Sequence, residues 1–169
     1  MKSQGTYKGK VHIFGDNVPG DGGILPLMRD FGNIIPEELA KMCMVPIDPN
    51  FPQNANTGDF IVAGKNFPFG WFHEQDIIAM KALGLSGVIA DSISELFLRL
   101  LFDYGLLGLP IEGVSKKLNN GELVEYNLNT GQLYNVTKNK ELASFKLPQV
   151  LKDILQKGGT IPYIKEKLM

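Results

Sequence analysis

The sequence predicts an α/β fold, and three stretches carry the prediction. "DFIVAG" (59–64) and "GVIAD" (87–91) are short apolar runs of the kind found in buried strands. Between them, 74–83 reads as a helix closed by Gly84, so the order is strand–helix–strand, a βαβ unit. Further on, "ELVEYNLNTGQLYNV" (122–136) reads as a hairpin turning at Asn129, Thr130 and Gly131.

The remaining elements follow in chain order. Val11 to Phe14 reads as a strand that ends in a Gly-Asp turn, and "PGDGGILP" (19–26) as a glycine-rich loop. "PEELAKMCM" (36–44) is a short helix with Pro36 at its first position and acids in its first turn. "IDPNFPQNANTG" (47–58) is rich in turn formers and is predicted to be irregular. Ser92 and Glu95 have capping-box spacing and open a helix that Gly105 closes. In that helix Ile93, Leu96, Phe97, Leu100, Leu101 and Tyr104 make one apolar face, and Leu98 and Phe102 add apolar surface elsewhere. A helix apolar nearly all round is central in a core or has a partner on its second face. "LPQVLKDILQKGG" and "IPYIKEKLM" read as terminal helices.

Composition narrows the function classes. The 169 residues are 44% hydrophobic and 21% charged, as in a soluble globular protein, and a single domain over 1–169 is expected. A net charge of −1 argues against nucleic acid as partner. No run approaches the roughly 20 apolar residues of a membrane span, and "MKSQGTYKGK" has no apolar core of a secretory signal. The expected setting is the cytoplasm. One cysteine, Cys43, allows neither an internal disulfide nor a cysteine-based cluster, and two histidines 61 positions apart do not suggest zinc. No metal and no other cofactor is expected on the chain itself. Cys43 reads as a buried small apolar residue, and His12 as facing outward from its strand or capping the sheet.

One loop is unusual. "AGKNFPFGWFHEQDIIAMKALG", from Ala63, places Phe69, Trp71 and Phe72 between a strand and a helix, where polar and glycine-rich sequence is the rule.

The framework "VHIFGDNV", "PEELAK", "IDPNFP", "GDFIVAGKNF", "GVIADS", "LVEYNLNTGQLYNVT" and "LPQVLKDILQKGGTIPYIKEKL" resembles the small subunit of 3-isopropylmalate dehydratase. That subunit is the swivel domain of the aconitase superfamily, and the resemblance spans essentially the whole chain. It implies a swivel-like domain with a mixed, partly barrel-like sheet and flanking helices. It also implies a large-subunit partner holding a 4Fe–4S cluster, the pair isomerising a hydroxy-diacid by dehydration and rehydration.

The departures from the family pattern concentrate in its active-site loops. Where the family reads Gly-Cys-Gly-Ser-Ser-Arg-Glu-His-Ala, this chain reads Pro68, Phe69, Gly70, Trp71, Phe72, His73, Glu74, Gln75, Asp76. The family's first serine abstracts a proton and its arginine binds a substrate carboxylate; the matching positions are Trp71 and His73. Trp has no acid–base function. Pro19, Gly20, Asp21, Gly22 and Gly23 stand where the family has Asp-Thr-Asp, and Leu27, Met28, Arg29, Asp30 and Phe31 where it has Arg-Tyr-Leu. Glu95 and Leu100 replace a family arginine and asparagine.

Apolar side chains on a crevice suggest a protein contact, because Trp, Phe and Met are enriched at interfaces. The expectation is therefore a non-catalytic binding module, an engineered binder on a swivel scaffold, with no enzyme activity. Its surface would be Leu27, Met28, Phe31, Phe69, Trp71, Phe72, His73, Leu96, Leu100 and Tyr104. An IgG Fc target or a homodimer would fit, and a buried His73 would make binding depend on pH. The alternative is a natural small subunit of an aconitase-type hydro-lyase with altered or lost activity. A chemical variant of that reading pairs His73 with Glu74 as acid and base, with Asp21 or Asp76 as partner.

Overall fold

In the computed structural model, residues 5–27 and 34–168 are described. Seven strands form one sheet in the order β4-β3-β2-β1-β5-β6-β7. β1 (Thr6–Ile13), β2 (Phe60–Ala63), β3 (Gly87–Ala90) and β4 (Leu107–Pro110) run parallel to one another, and β5 (Leu123–Asn127), β6 (Gln132–Asn135) and β7 (Lys140–Ser144) continue antiparallel. β1 joins the two halves. Its first part, Thr6 to Lys10, pairs with β5, and its last part, Val11 to Ile13, pairs with β2. Gly9 lies at the changeover, where a Cβ would stand 2.0 Å from the Gly58 carbonyl oxygen, so only glycine fits.

The core has two compartments because the central strands are apolar on both faces. Alternation sends Ile61, Ala63, Val88 and Ala90 to one side and Phe60, Val62 and Ile89 to the other. Helices cover the first side: α1 (Pro36–Met42) through Leu39, α3 (Glu74–Ala82) through Ile77 and Met80, and α4 (Glu95–Asp103) through Phe97 and Leu101. On the second side the antiparallel half curls over, bringing Val124, Tyr126 and Leu133 onto Phe60 and Val62. The result is a half-barrel, plugged by Leu155 of α5 (Gln149–Lys157). The short α2 (Phe51–Asn54) buries Phe51, and α6 (Thr160–Leu168) closes the described chain.

The all-round apolar helix is α4, and it is central: Phe97 and Leu101 enter the first compartment, while Phe102 and Leu98 pack on the second. Its start differs from the Ser92 capping box. Ser94 is the N-cap, and the Ser92 hydroxyl instead accepts the Asn66 N–H at 2.8 Å. Tertiary contact claimed the side chain that a local cap would have used. His12 is not an outward residue either. Its Nε2 lies 2.9 Å from the Asp59 carboxylate, and its ring packs edge-on against Phe51. Cys43 is fully buried, and that burial pushes its thiol well above the usual range, which makes it unreactive.

Candidate functional site

The parallel strands all finish on one edge, at Ile13, Ala63, Ala90 and Pro110. In open parallel sheets the crevice outside the carboxyl ends of the strands is where ligands bind. Here that edge is built from three loops: 14–27 after β1, 64–73 after β2, and 91–94 after β3.

The first two loops are tied together at their roots. The Asp16 carboxylate accepts the Lys65 N–H at 2.7 Å and occupies the space beside Gly64, where a Cβ would lie only 1.9 Å from its Oδ1. Asn17 and Asn66, both at positive φ (55° and 59°), join by an amide hydrogen bond of 2.8 Å. Higher up, the loops pair backbone to backbone. Phe69 N–H donates to Val18 (2.7 Å), Gly20 to Phe69 (3.2 Å) and Asp21 to Trp71 (2.9 Å). On the other flank, Phe67 exchanges hydrogen bonds with Ser92 and Ser94.

This scaffold explains the aromatic loop. Phe67 is fully buried and Phe72 partly so, and both meet Phe97 edge-on, with centroids 5.6 Å and 5.2 Å away. They pin the loop to the core. Between them Phe69 and Trp71 turn outward, 55% and 84% exposed. Gly20 makes the close approach possible, because a Cβ there would lie 2.2 Å from the Trp71 carbonyl oxygen and 2.6 Å from Phe72 Cβ. Gly20→Ala is therefore expected to push the two loops apart and destabilise the chain by about 1–3 kcal/mol. Urea denaturation, with the emission of Trp71 as the local probe, measures both effects.

Apart from His73, which caps α3, the proposed surface residues fall into three groups. Leu27, Phe69, Trp71 and Leu96 are exposed on neighbouring segments of this edge, with Leu27 close to Gly22. Phe72, Leu100 and Tyr104 are largely committed to packing against the first core compartment. Met28 and Phe31 lie outside the described residues.

Polar groups gather at the start of α3. His73 is its N-cap and forms a capping box with Asp76, whose carboxylate accepts the His73 N–H at 3.0 Å. The His73 Nε2 lies 3.1 Å from Asp21 Oδ1. Asp76 is almost fully enclosed, and burial pushes its carboxyl up to about 6, with the nearby Asp21 charge acting the same way and the His73 contacts opposing. Glu74 is turned elsewhere and accepts a short hydrogen bond from the Tyr104 hydroxyl. Burial first, then that bond, pushes the Tyr104 phenol up to about 12. So His73 pairs with Asp21, and Glu74 with Tyr104; the His73–Glu74 pair does not form. The H-x-x-D spacing of the cap was present in the sequence, whereas the Asp21 contact joins positions 52 apart and had no local signal.

Among the described residues no group of three or more His, Cys, Asp and Glu side chains is placed to hold a metal ion. No described helix is long and apolar enough to cross a membrane.

No family model matches the chain. Individual relatives match over nearly its full length. The isopropylmalate/citramalate isomerase small subunit of Methanocaldococcus jannaschii is 42% identical over 161 residues, 95% of each chain. The 3-isopropylmalate dehydratase small subunit of Endomicrobium trichonymphae is 41% identical over 94% of this chain and 96% of its own. Among solved structures, the 3-isopropylmalate dehydratase of M. jannaschii superposes with a TM-score of 0.86 at 34% identity, covering 96% of this chain and 95% of that one.

These findings overturn the expectation of a non-catalytic engineered binder. Relatives at 37–42% identity are small subunits of an enzyme, and nothing in the likeness points to a design origin, an IgG Fc target or pH-dependent binding. Of the aromatic residues in the departing loop, Phe72 serves packing against Phe97, and the polar groups His73, Asp21 and Asp76 stand beside it. The half-barrel sheet and the full-length likeness agree: the chain belongs to the 3-isopropylmalate dehydratase small-subunit family.

Proposed function

We propose that this chain is the small subunit of an aconitase-type hydro-lyase and acts with a large subunit on a hydroxy-diacid of the isopropylmalate or citramalate kind. The observation that carries the reading is likeness over 95% of both chains to a subunit named for that isomerisation. The structure is consistent with a subunit that completes a shared site. Its strand-end edge holds polar groups at the α3 start beside the exposed Leu27, Phe69, Trp71 and Leu96. A partner covering that rim would remove apolar surface from water at about 25 cal/mol per Å². An iron–sulfur cluster would reside on the large subunit, because the one thiol here, Cys43, is fully buried. Trp71, which the resemblance aligns with the catalytic serine, has no acid–base function, so proton transfer would fall to another group.

Trp71 is the only tryptophan in the chain, which makes it a reporter. On mixing with the large subunit from the same source, the two chains are expected to co-elute in gel filtration, with a blue shift of Trp71 emission. The complex should interconvert the isomers of isopropylmalate or citramalate. Separate elution with unchanged emission would overturn the reading.

A further inference from the structure

We propose that Asp21 is the proton-transferring group this chain brings to the shared site, with His73 as its positioning residue. The inference rests on the small-subunit reading.

Asp21 follows directly on the loop pairing at the carboxyl edge, its backbone held by Trp71 through a 2.9 Å hydrogen bond. Its carboxylate is two-sided. Oδ1 lies 3.1 Å from His73 Nε2, while the second oxygen has no hydrogen-bond partner among the described residues. The side chain is one-third exposed at the strand-end edge. The imidazole is itself fixed, because the His73 side chain also faces the Asp76 N–H in the capping box. With one ring nitrogen accepting there, the other carries the proton and donates it to Asp21. His73 thus has no free nitrogen for base chemistry, and its effect is to aim the carboxylate. The other acids at this helix start are occupied: Glu74 by Tyr104, and Asp76 by its cap and its enclosure.

The step balances without an oxidant. The open oxygen of Asp21 takes the proton from a substrate carbon next to a carboxylate, and the C–H electron pair becomes the C=C bond. The C–O bond of the neighbouring carbon breaks and hydroxide departs with its electron pair, for which the large subunit would supply a Lewis acid. Addition of water in the opposite sense returns the proton from Asp21, which ends the cycle ionised. A positioned acid–base group of this type contributes about 10²–10⁴-fold to rate.

The test uses the assembled complex with isopropylmalate and citramalate as probes, for the native chain, Asp21→Asn and His73→Asn. Asparagine is a good N-cap, so His73→Asn keeps the start of α3 while it is too short to reach Asp21. Asp21→Asn is expected to lower kcat at least about a hundredfold with KM and subunit association unchanged. His73→Asn is expected to lower kcat about tenfold with KM unchanged, because the Asp21 carboxylate loses the 3.1 Å contact that aims it. A purely structural role for His73 would instead weaken subunit association or stability without a selective loss of kcat. Asp21→Asn within threefold of native kcat overturns the proposal. So does a native complex that assembles but neither turns over nor exchanges substrate carbon-bound hydrogen with deuterated water, and in that case the pairing of subunits still stands. Failure to assemble overturns the parent reading and the inference with it.

Discussion

Phe97→Ala is expected to destabilise the chain by about 3–5 kcal/mol, the range for removing a buried phenylalanine. Phe97 is fully enclosed and is the shared partner of Phe67 and Phe72, which meet it nearly perpendicular at 82° and 90°. Truncation leaves a cavity under the aromatic loop as well as losing transfer energy and two edge-to-face contacts. The consequence for the site should exceed that of an equivalent core change elsewhere. Phe72 is the inner anchor of a segment whose next residues are Trp71, exposed, and His73, the clamp on Asp21. Urea denaturation gives the stability change. The fluorescence anisotropy of Trp71 in the folded variant gives the local effect, and a fall in anisotropy is expected. Destabilisation below about 1 kcal/mol would mean that the three rings do not form a common anchor.

Asp59→Ala should cost a comparable amount, about 3–5 kcal/mol, because it breaks a buried pair and strands its donors. The Asp59 carboxylate is buried and accepts from the Lys10 N–H, the Asn56 N–H and His12 Nε2, each at 2.9 Å. It thereby fastens the segment before β2 to β1 at the point where β1 changes from antiparallel to parallel pairing. Burial alone would raise its pKa, but those hydrogen bonds and the His12 charge outweigh it and hold the carboxyl below the usual aspartate value. The sign follows from linkage. A folded-state pKa below the unfolded one contributes stability that is fully present above the ordinary aspartate range and is lost as pH falls through the folded value. Native stability should therefore drop below about pH 4, and the Asp59→Ala chain should show a shallower drop over the same window. Thermal melts from pH 3 to 7 measure the difference, and parallel profiles would refute the assignment.

Much of the fold was legible in the sequence because it rests on local periodicity. The runs 59–64 and 87–91 hold the buried strands β2 and β3, α3 begins at Glu74 and ends before Gly84, and 122–136 holds the β5–β6 hairpin. Each depends on side-chain alternation, helix termination or turn chemistry, which act over a few residues. The site was less legible. Phe69, Trp71 and Phe72 are aromatics within four residues of one loop, yet Phe72 turns in toward Phe97 while Phe69 and Trp71 turn out. Which way each ring faces depends on a helix 25 positions away, and the sequence carries no local mark of it.

The sequence by itself determined most elements, though not α2 or the first half of β1, the burial of the central strands and, through its framework motifs, the family. Tertiary structure decided the chemistry. It set Gly20 under Trp71, took Ser92 from its expected cap to hold Asn66, and turned His73 toward Asp21 rather than Glu74. The physical reason is range. Propensities, caps and turns are settled by neighbours in the chain, whereas a hydrogen bond between residues 52 positions apart exists only once packing has closed the loop entropy between them.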